Sequence, residues 1–187
     1  MNTKRTVFTI LFIYLGVSLS AFAASNGGGK ISAFNLVGAG AMYEGLVPDI
    51  DGDGVEDAAI CFDVDLFNIK NGQLVGTATD CLSNINPVGT GLALVGTTYF
   101  HLPQGTLVTR GNTTVQPVTQ NTVTPTGQVI THITGASGTG NSILYGDGKF
   151  AGSTGTLRLS GMVDLSNFTG TVGDPIAFDC LFVINVD

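Results

Sequence analysis

Short runs in which apolar and polar residues alternate, separated by glycine-rich turns, fill this chain from about residue 41 onward. Strict alternation is the period of a strand with one buried face, and the 3.6-residue period of an amphipathic helix is almost absent. Charged residues make up only 11% of the chain, while 27 residues are glycine. This pattern and composition predict strands and turns rather than helices.

The alternating runs predict nine strands, at residues 41–47, 58–69, 74–81, 92–102, 106–110, 129–134, 142–150, 155–164 and 175–186. Residues 113–126, rich in Thr, Gln, Asn and Pro, are expected to form a long loop or a ragged edge strand. Many short strands at this spacing favour an all-β fold, a closed antiparallel β-barrel of about eight strands or a sandwich. Glycines within strands favour the barrel, because they allow the kinks and bulges that let a small barrel close.

Residues 1–23 carry the three parts of a secretory signal peptide. Lys4 and Arg5 form the charged segment, residues 7–19 are mostly apolar, and Ala21-Phe22-Ala23 provides the small residues of a cleavage site. A membrane anchor is the alternative, but the apolar run is shorter than the roughly 20 residues that a span needs. The expected organisation is a signal peptide at 1–23, a flexible leader at 24–34 and a single barrel domain at 35–187. We therefore expect a secreted or periplasmic protein.

The acidic charge limits the range of partners. Removal of residues 1–23 would leave 14 acidic and 5 basic residues, a formal charge of −9. Nucleic acid and anionic membrane surfaces both attract basic proteins, so we expect neither as a partner. No second apolar stretch is long enough to span a bilayer, so we expect no membrane insertion after cleavage. The spacings of a phosphate-binding loop and of a zinc site are also missing from the sequence.

Five acidic residues lie within residues 49–57, which read Asp-Ile-Asp-Gly-Asp-Gly-Val-Glu-Asp. Oxygen-bearing side chains at every second position, followed by a glycine turn, are typical of a loop that wraps a hard cation. The predicted ligands are the side chains of Asp49, Asp51, Asp53 and Asp57 and the main-chain carbonyl of Val55. Calcium fits better than magnesium, which demands tighter octahedral geometry. We expect a structural calcium ion that holds the entry into the following strand.

The acidic loop differs from an EF-hand, although its first positions match one. The twelfth position is Ile60 instead of the Glu that an EF-hand requires, and no helical pattern flanks the loop. The loop is more similar to the single calcium loops of propeller and thrombospondin-type repeats, where a nearby Asp closes the site. Only one copy is present, which excludes a propeller. The alternative is a solvated acidic turn without an ion.

A hairpin is predicted where residues 59–69 and 73–81 flank Lys70-Asn71-Gly72. A three-residue loop that ends in Gly fits a type I turn with a G1 bulge, and this register places Cys61 opposite Cys81. A two-residue Asn-Gly turn would instead place two aspartates opposite each other. Cross-strand neighbours have the separation of a disulfide, so Cys61–Cys81 is the favoured pair. Cys61–Cys180 is the competing pair, since the last strand of a barrel can lie beside an early one.

Three glycine-rich runs follow, at residues 133–140, 145–156 and 159–161. Residues 146–155, Gly-Asp-Gly-Lys-Phe-Ala-Gly-Ser-Thr-Gly, resemble the run that the allene oxide cyclase and dirigent families carry near the end of an eight-stranded barrel. Asp147 stands where those families have Gly or Thr. Residues 64–78 are similar to the first hairpin of these families, and residues 97–107 to their middle strands.

The resemblance implies a barrel that binds or steers a small hydrophobic ligand, with little covalent chemistry from the protein. It leaves open an isomerase or cyclase that acts in the lumen, and a non-enzymatic surface or matrix protein is a further alternative. Asp65, Tyr99 and His101 are candidates for an acid/base cluster if their strand face lines the lumen. The alternative for these three residues is an outer surface, where they would be solvated.

Overall fold

Ten antiparallel strands form one sheet in the computed structural model, which describes residues 29–124 and 127–187. The strands are β1 Lys30–Ala41, β2 Tyr43–Val47, β3 Asp57–Asn68, β4 Leu74–Val88, β5 Gly91–Leu102, β6 Gly105–Val123, β7 Val129–Ala136, β8 Ser142–Gly146, β9 Gly155–Asp164 and β10 Pro175–Val186. One short 3-10 turn, Gly148–Phe150, follows β8. None of the described segments is a helix long and apolar enough to cross a membrane. The predicted signal peptide lies outside the described residues.

The sheet closes on itself because β3 pairs with both β1 and β2. Residues 34–37 of β1 pair with 65–68 of β3, and residues 43–47 of β2 pair with 57–61. The strands β7 and β8 both lie between β6 and β9. Ten strands therefore occupy eight positions, in the order β1-β10-β9-β7-β6-β5-β4-β3 and back to β1. The predicted closed antiparallel barrel of about eight strands is confirmed.

Four strand predictions need correction. The first strand, β1, was not predicted, and it begins at Lys30, inside the stretch 24–34 expected to be a flexible leader. It pairs with β10 on one side and with β3 on the other. This pairing makes the segment a strand, although its alternation of apolar and polar residues is weak. The strand β4 continues to Val88, beyond its predicted end. The strand β6 continues to Val123, so residues 113–123 form an irregularly paired strand, one of the two expectations for 113–126, and not a loop. Beyond β8 the chain leaves the predicted strand 142–150 and makes the 3-10 turn.

The β3–β4 hairpin has the predicted register over most of its length, with Cys61 opposite Cys81 and Asp63 opposite Thr79. The predicted three-residue loop is wrong at the tip. The backbone amides of Asn68 and Gly72 bond to the carbonyls of Gln73 and Asn68, which makes a four-residue turn. A register shift after Leu66 compensates for the extra turn residue. A bulge therefore restores the pairing that the sequence predicts.

The main hydrophobic core fills the barrel lumen. Alternate residues of the strands point inward, and Phe62, Phe100 and Phe182 are at most 2% exposed. The rings of Phe100 and Phe182 meet edge to face with centroids 5.4 Å apart, and those of Phe62 and Phe178 do so at 5.2 Å. Burial of one such side chain contributes about 1.5–3 kcal/mol. These aromatic rings make the middle of the lumen a packed core.

A second, smaller cluster lies on the outside of the barrel. Val47, Ala59, Cys61 and Cys81 are buried there, with Ile50 and Tyr99 packed against them. Cys61 and Cys81 form a disulfide, as predicted. Cys180 is a free, buried thiol on an inward position of β10, and the alternative pair Cys61–Cys180 is therefore wrong. A disulfide is consistent with an oxidising compartment.

Candidate functional site

A row of inward-facing residues runs along the inner wall of the barrel from β3 to β6. The register pairs Phe62 with Asp80, Asp80 with Thr98, and Thr98 with Thr109. Because partners in a register share one face of the sheet, all four side chains point into the barrel. All four line a cavity in the lumen. Asp80, Thr98 and Thr109, referred to below as the polar row, bring polar oxygens into an otherwise apolar interior.

Asp80 is a carboxyl group inside the barrel core, with only 4% of its surface exposed. The hydroxyl of Thr98 donates a hydrogen bond to Asp80 Oδ1 over 2.6 Å. Burial raises the pKa of Asp80 to about 7, against a weaker lowering effect of the Thr98 hydrogen bond. Burial and then the nearby Asp80 raise the pKa of the Cys180 thiol well above its ordinary value. Asp80 is therefore the group in the lumen that can change charge near neutral pH.

Thr109 is fully buried, and its Oγ1 has no hydrogen-bond partner among the described residues. A buried hydroxyl without a partner costs about 1–3 kcal/mol relative to one that is paired. Such groups in native proteins call for an explanation, which is often a water molecule or a ligand. Because Thr109 lines the cavity, a guest molecule there has a hydroxyl to bond.

The cavity above the polar row is apolar apart from a few hydroxyl groups and Asp80. About 40 Å³ of it is open to the centre of a water molecule. That is about a quarter of the roughly 150 Å³ of an engineered apolar cavity that binds benzene. Its outer end is formed by partly exposed side chains, namely Leu82, Leu92, Leu165 and Phe168. The cavity is therefore small and has an apolar mouth.

Gly96 lies two residues before Thr98 in β5, on the same inward face, and leaves space in the lumen beside it. It lines the cavity, and a Cβ atom built there would come no closer than 3.4 Å to its nearest neighbour, Thr113 Oγ1. That distance is an ordinary van der Waals contact. A side chain at residue 96 would thus occupy lumen space without displacing backbone.

The acidic loop between β2 and β3 is the second candidate site. Asp49, Asp51 and Asp57 each offer a carboxylate oxygen, and these oxygens lie within 4.8 Å of one another. Two ligands on one calcium ion, each about 2.4 Å from it, are at most about 4.8 Å apart. Three of the four predicted carboxylate ligands therefore fit a single calcium ion.

The remaining predicted ligands, Asp53 and Val55, lie beside this group. Asp53 Oδ1 accepts a hydrogen bond from the backbone amide of Val55 over 2.8 Å, and Asp53 is not among the three clustered carboxylates. The Val55 side chain is exposed. The alternation of the sequence predicted equal roles for Asp51 and Asp53, but the turn sends their side chains to different places.

The acidic loop is folded by its own backbone amides. Asp49 accepts hydrogen bonds from the amides of Gly52 at 2.6 Å and Gly54 at 2.8 Å, and Asp57 accepts one from Ile50 at 2.5 Å. Both glycines have φ of +87°, which favours glycine. The amides of Gly54 and Gly52 lower the pKa of Asp49, since they bond to its charged form. Each carboxylate oxygen has a second lone pair, so these bonds leave ligand capacity.

Arg110 fastens the start of the acidic loop to the barrel wall. Its guanidinium donates hydrogen bonds to the carbonyl of Asp49 at 2.8 Å, to the carbonyl of Pro48, and to Thr97 Oγ1 at 3.3 Å. Arg110 belongs to β6 and Thr97 to β5, so the loop crosses the outside of several strands. It covers the outer cluster that contains the disulfide. We refer to residues 47–57 as the acidic strap.

The three proposed acid/base residues lie outside the lumen. Thr79 joins His101 and Asp63 on the outer face, with its Oγ1 at 3.2 Å from His101 Nε2 and 2.7 Å from Asp63 Oδ1. Tyr99 packs against the outer cluster, and Asp65 is exposed. Neither Asp65 nor His101 lines the lumen cavity. The structure therefore places Asp65, Tyr99 and His101 on the outside of the barrel, as the alternative expected.

Asp80 is the functional candidate that sequence reasoning missed, and a signal for it was present. The predicted hairpin register already placed Asp80 opposite Phe62. An acidic residue on the same face as Ala78 and Leu82 is out of place in a core-facing alternation, and such residues mark functional positions.

The chain matches no protein-family model and no curated protein. The class that the structure defines is a closed, eight-position antiparallel β-barrel with a polar row in its lumen and an acidic strap on its outer wall. The resemblance to allene oxide cyclase and dirigent barrels rests on the sequence motifs alone.

Proposed function

We propose that this protein is a secreted, calcium-stabilised β-barrel that binds a small hydrophobic ligand in its lumen, in the manner of allene oxide cyclase and dirigent barrels. The observation that carries the proposal is the polar row, where buried Asp80 and unpartnered Thr109 face an apolar cavity. Ligand sites are mostly apolar, with a few polar groups that fix orientation. The lumen has this composition.

The small volume determines how a ligand enters. A guest larger than a few atoms fits only if the side chains at the mouth move, and Leu92 and Phe168 there are partly exposed. Side chains with this exposure change rotamers on fast timescales, whereas the aromatic core beneath is packed. The ligand would therefore enter past the mouth and place its polar end against the polar row.

A cavity-filling variant tests lumen binding. Calorimetric titration with 1-hexanol is expected to show saturable binding to the wild type and at least fivefold weaker binding to Gly96→Ala. The matched control is Gly40→Ala, the same change in β1 at an exposed position where a Cβ would meet nothing within 4 Å. Equal binding by wild type and Gly96→Ala would place the alcohol outside the lumen and refute the proposal.

The calcium part of the proposal concerns the acidic strap. Asp49, Asp51 and Asp57 would hold the ion, and the charge of the ion would offset the repulsion among the clustered carboxylates. The strap lies over the disulfide and is tied to β6 by Arg110. An ion there would stabilise the start of β3 and act as a structural element rather than in chemistry.

Thermal unfolding with calcium and with excess chelator tests the strap. A ligand at a hundredfold excess over its Kd raises the free energy of unfolding by about 2.7 kcal/mol. We expect a calcium-dependent rise in the wild type that is absent in Asp51→Asn. Glu44→Gln, an equal loss of charge at an exposed position in β2, should keep the rise. No rise in the wild type would leave the strap a self-bonded acidic turn.

An isomerase or cyclase is the second candidate function. It is favoured by Asp80, a buried carboxyl with a pKa of about 7, because general acids and bases work best with a pKa near the operating pH. The third candidate, a non-enzymatic surface or matrix protein, is favoured by the small volume of the cavity. Failure of every small hydrophobic probe to bind would leave this third function as the best supported.

A further inference from the structure

The charge of the lumen is unbalanced. Asp80 is the only ionisable side chain among the described residues that line the cavity, so no Lys, Arg or His is present there to pair with it. Cys180, across from it on β10, is the nearby titratable group, and its thiol is held in the neutral form. A buried carboxylate without a counter-charge is costly, and proteins normally pair such a group. A cationic group on a ligand would supply the counter-charge that the lining residues do not offer to ionised Asp80.

The polar row also has the right set of hydrogen-bond acceptors for a particular cation. Asp80 has a carboxylate with a free oxygen, since only its Oδ1 accepts the Thr98 hydroxyl. Thr109 Oγ1 has no partner, and Thr98 Oγ1 keeps lone pairs after donating its proton. An ammonium group has three N–H donors and no acceptor. Asp80, Thr98 and Thr109 lie on three consecutive strands and together offer at least three acceptor oxygens to such a group.

We propose that the ligand of the lumen is a small hydrophobic primary amine, whose ammonium group bonds Asp80 and Thr109 while its apolar chain extends to the mouth. The inference rests on the proposed lumen-binding function and names its ligand class. The small volume of the cavity suits a compact head group, and the leucines at the mouth suit an alkyl or aryl tail. A metal cation fits less well, because the mouth and walls offer hydrocarbon where a hydrated ion needs oxygen.

The pH dependence of binding separates an amine from a neutral ligand. The amine needs the ionised form of Asp80, and Asp80 ionises with a pKa of about 7. Phe62 and Thr98 face Asp80 from the neighbouring strands, and the neutral thiol of Cys180 on β10 is the nearby titratable group. Alkylamines, like Lys, remain protonated up to about pH 10. Amine affinity should therefore rise about tenfold from pH 6 to pH 8, because the ionised fraction of Asp80 rises about tenfold.

The experiment compares three probes with the same six-carbon chain: n-hexylamine, 1-hexanol and hexanoate. Calorimetric titration of the folded wild-type protein at pH 8 is expected to show n-hexylamine binding at least tenfold tighter than 1-hexanol, with hexanoate weakest. A 1-hexanol affinity equal to or above that of the amine would refute the amine class and keep lumen binding. Absence of binding by all three probes would refute both proposals.

Two variants assign the preference to the polar row. Asp80→Asn removes the charge at nearly constant volume, so the amine should lose its tenfold advantage while 1-hexanol still binds. Thr109→Val removes the unpartnered hydroxyl and should weaken the amine several-fold. Asp63→Asn, on the outer face, is the control and should leave all three affinities unchanged. An amine preference that survives Asp80→Asn would overturn the proposal.

Discussion

The acidic strap and the lumen use the same carboxyl group in opposite ways. Asp49 on the strap is only partly buried, and the amides of Gly54 and Gly52 bond to it and lower its pKa. Asp80 in the lumen has lost its water, and burial raises its pKa to about 7. The strap therefore stabilises its charge, whereas the lumen resists it. Local backbone geometry decides the first case, and the closure of the barrel decides the second.

The two regions should respond to pH with opposite signs. A carboxyl group with a raised folded pKa stabilises the fold below the unfolded pKa and loses that contribution as pH rises through the folded pKa. This describes Asp80 between about pH 4 and pH 7. A group with a lowered pKa stabilises the fold above its unfolded pKa and loses the contribution in acid, as for Asp49. Measurements across this range can therefore separate the two regions.

The largest expected effect belongs to Asp80. A rise from 3.8 to about 7 corresponds to about 4 kcal/mol of stability lost between pH 4 and pH 7, at 1.36 kcal/mol per pH unit. Urea unfolding of the wild type should show this loss, and Asp80→Asn should not. Thr98→Val removes a hydrogen bond that lowers the pKa, so it should extend the loss above pH 7. Parallel pH profiles for wild type and Asp80→Asn would contradict the comparison.

The next effect concerns the disulfide beneath the strap. Cys61 and Cys81 are 20 residues apart, and closure of a loop of that length in the unfolded chain stabilises the fold by about 3 kcal/mol. The double variant Cys61→Ser, Cys81→Ser should lose about that much in urea unfolding and should also show a smaller response to calcium. The pH profile due to Asp80 should stay, because Asp80 faces the other side of β4. Loss of both responses would mean that the two regions are not independent.

A moderate effect is expected at Arg110. Its guanidinium makes hydrogen bonds to two strap carbonyls and to Thr97, which a lysine cannot make together. Arg110→Lys keeps the charge and should cost about 1–2 kcal/mol in the free energy of unfolding. The calcium response should weaken as well, since the strap would be less firmly placed. Arg158→Lys, on β9, offers a control for the same chemical change.

The smallest effect is expected at Asp49. Asp49→Asn removes the charged acceptor of the amides of Gly52 and Gly54, so the variant should lose stability at neutral pH. As pH falls through the lowered pKa of Asp49, the wild-type carboxyl is protonated as well, and the two proteins should converge. Thermal unfolding at a series of pH values from 7 into the acid range measures this. A difference that grows in acid would have the wrong sign.

Local patterns predicted the parts of the molecule that depend on local chemistry. The glycine turns and spaced aspartates of the strap, and the pairing of Cys61 with Cys81, could be derived because each involves near neighbours in the chain. The three-carboxylate cluster has the predicted members except Asp53. The turn geometry that separates Asp53 from Asp51 depends on backbone angles that side-chain spacing does not specify.

Long-range contacts account for what the sequence did not show. In β1 only Leu36 is fully buried, so its alternation is weak, and partners far along the chain make it a strand. The polar residues of β6 after Val115 are a strand for a similar reason, since β7 pairs with part of them. The sequence placed Asp65 and His101 on the right strands but left open whether their side chains face the inside of the barrel. The face that each strand turns inward depends on closure, which no local pattern encodes.

The pairing of the first described strand with the last has a consequence for the time course of folding. β1 and β10 pair along their whole lengths, and Asn35 bonds Asp179 across 144 residues of sequence. Closing so large a loop costs conformational entropy before the contacts between β1 and β10 can form. Folding is therefore expected on the slow, millisecond-to-second timescale of such topologies. Until then the inner faces and the edges of β1 and β10 lie open to other chains. Refolding should therefore be most efficient in dilute solution.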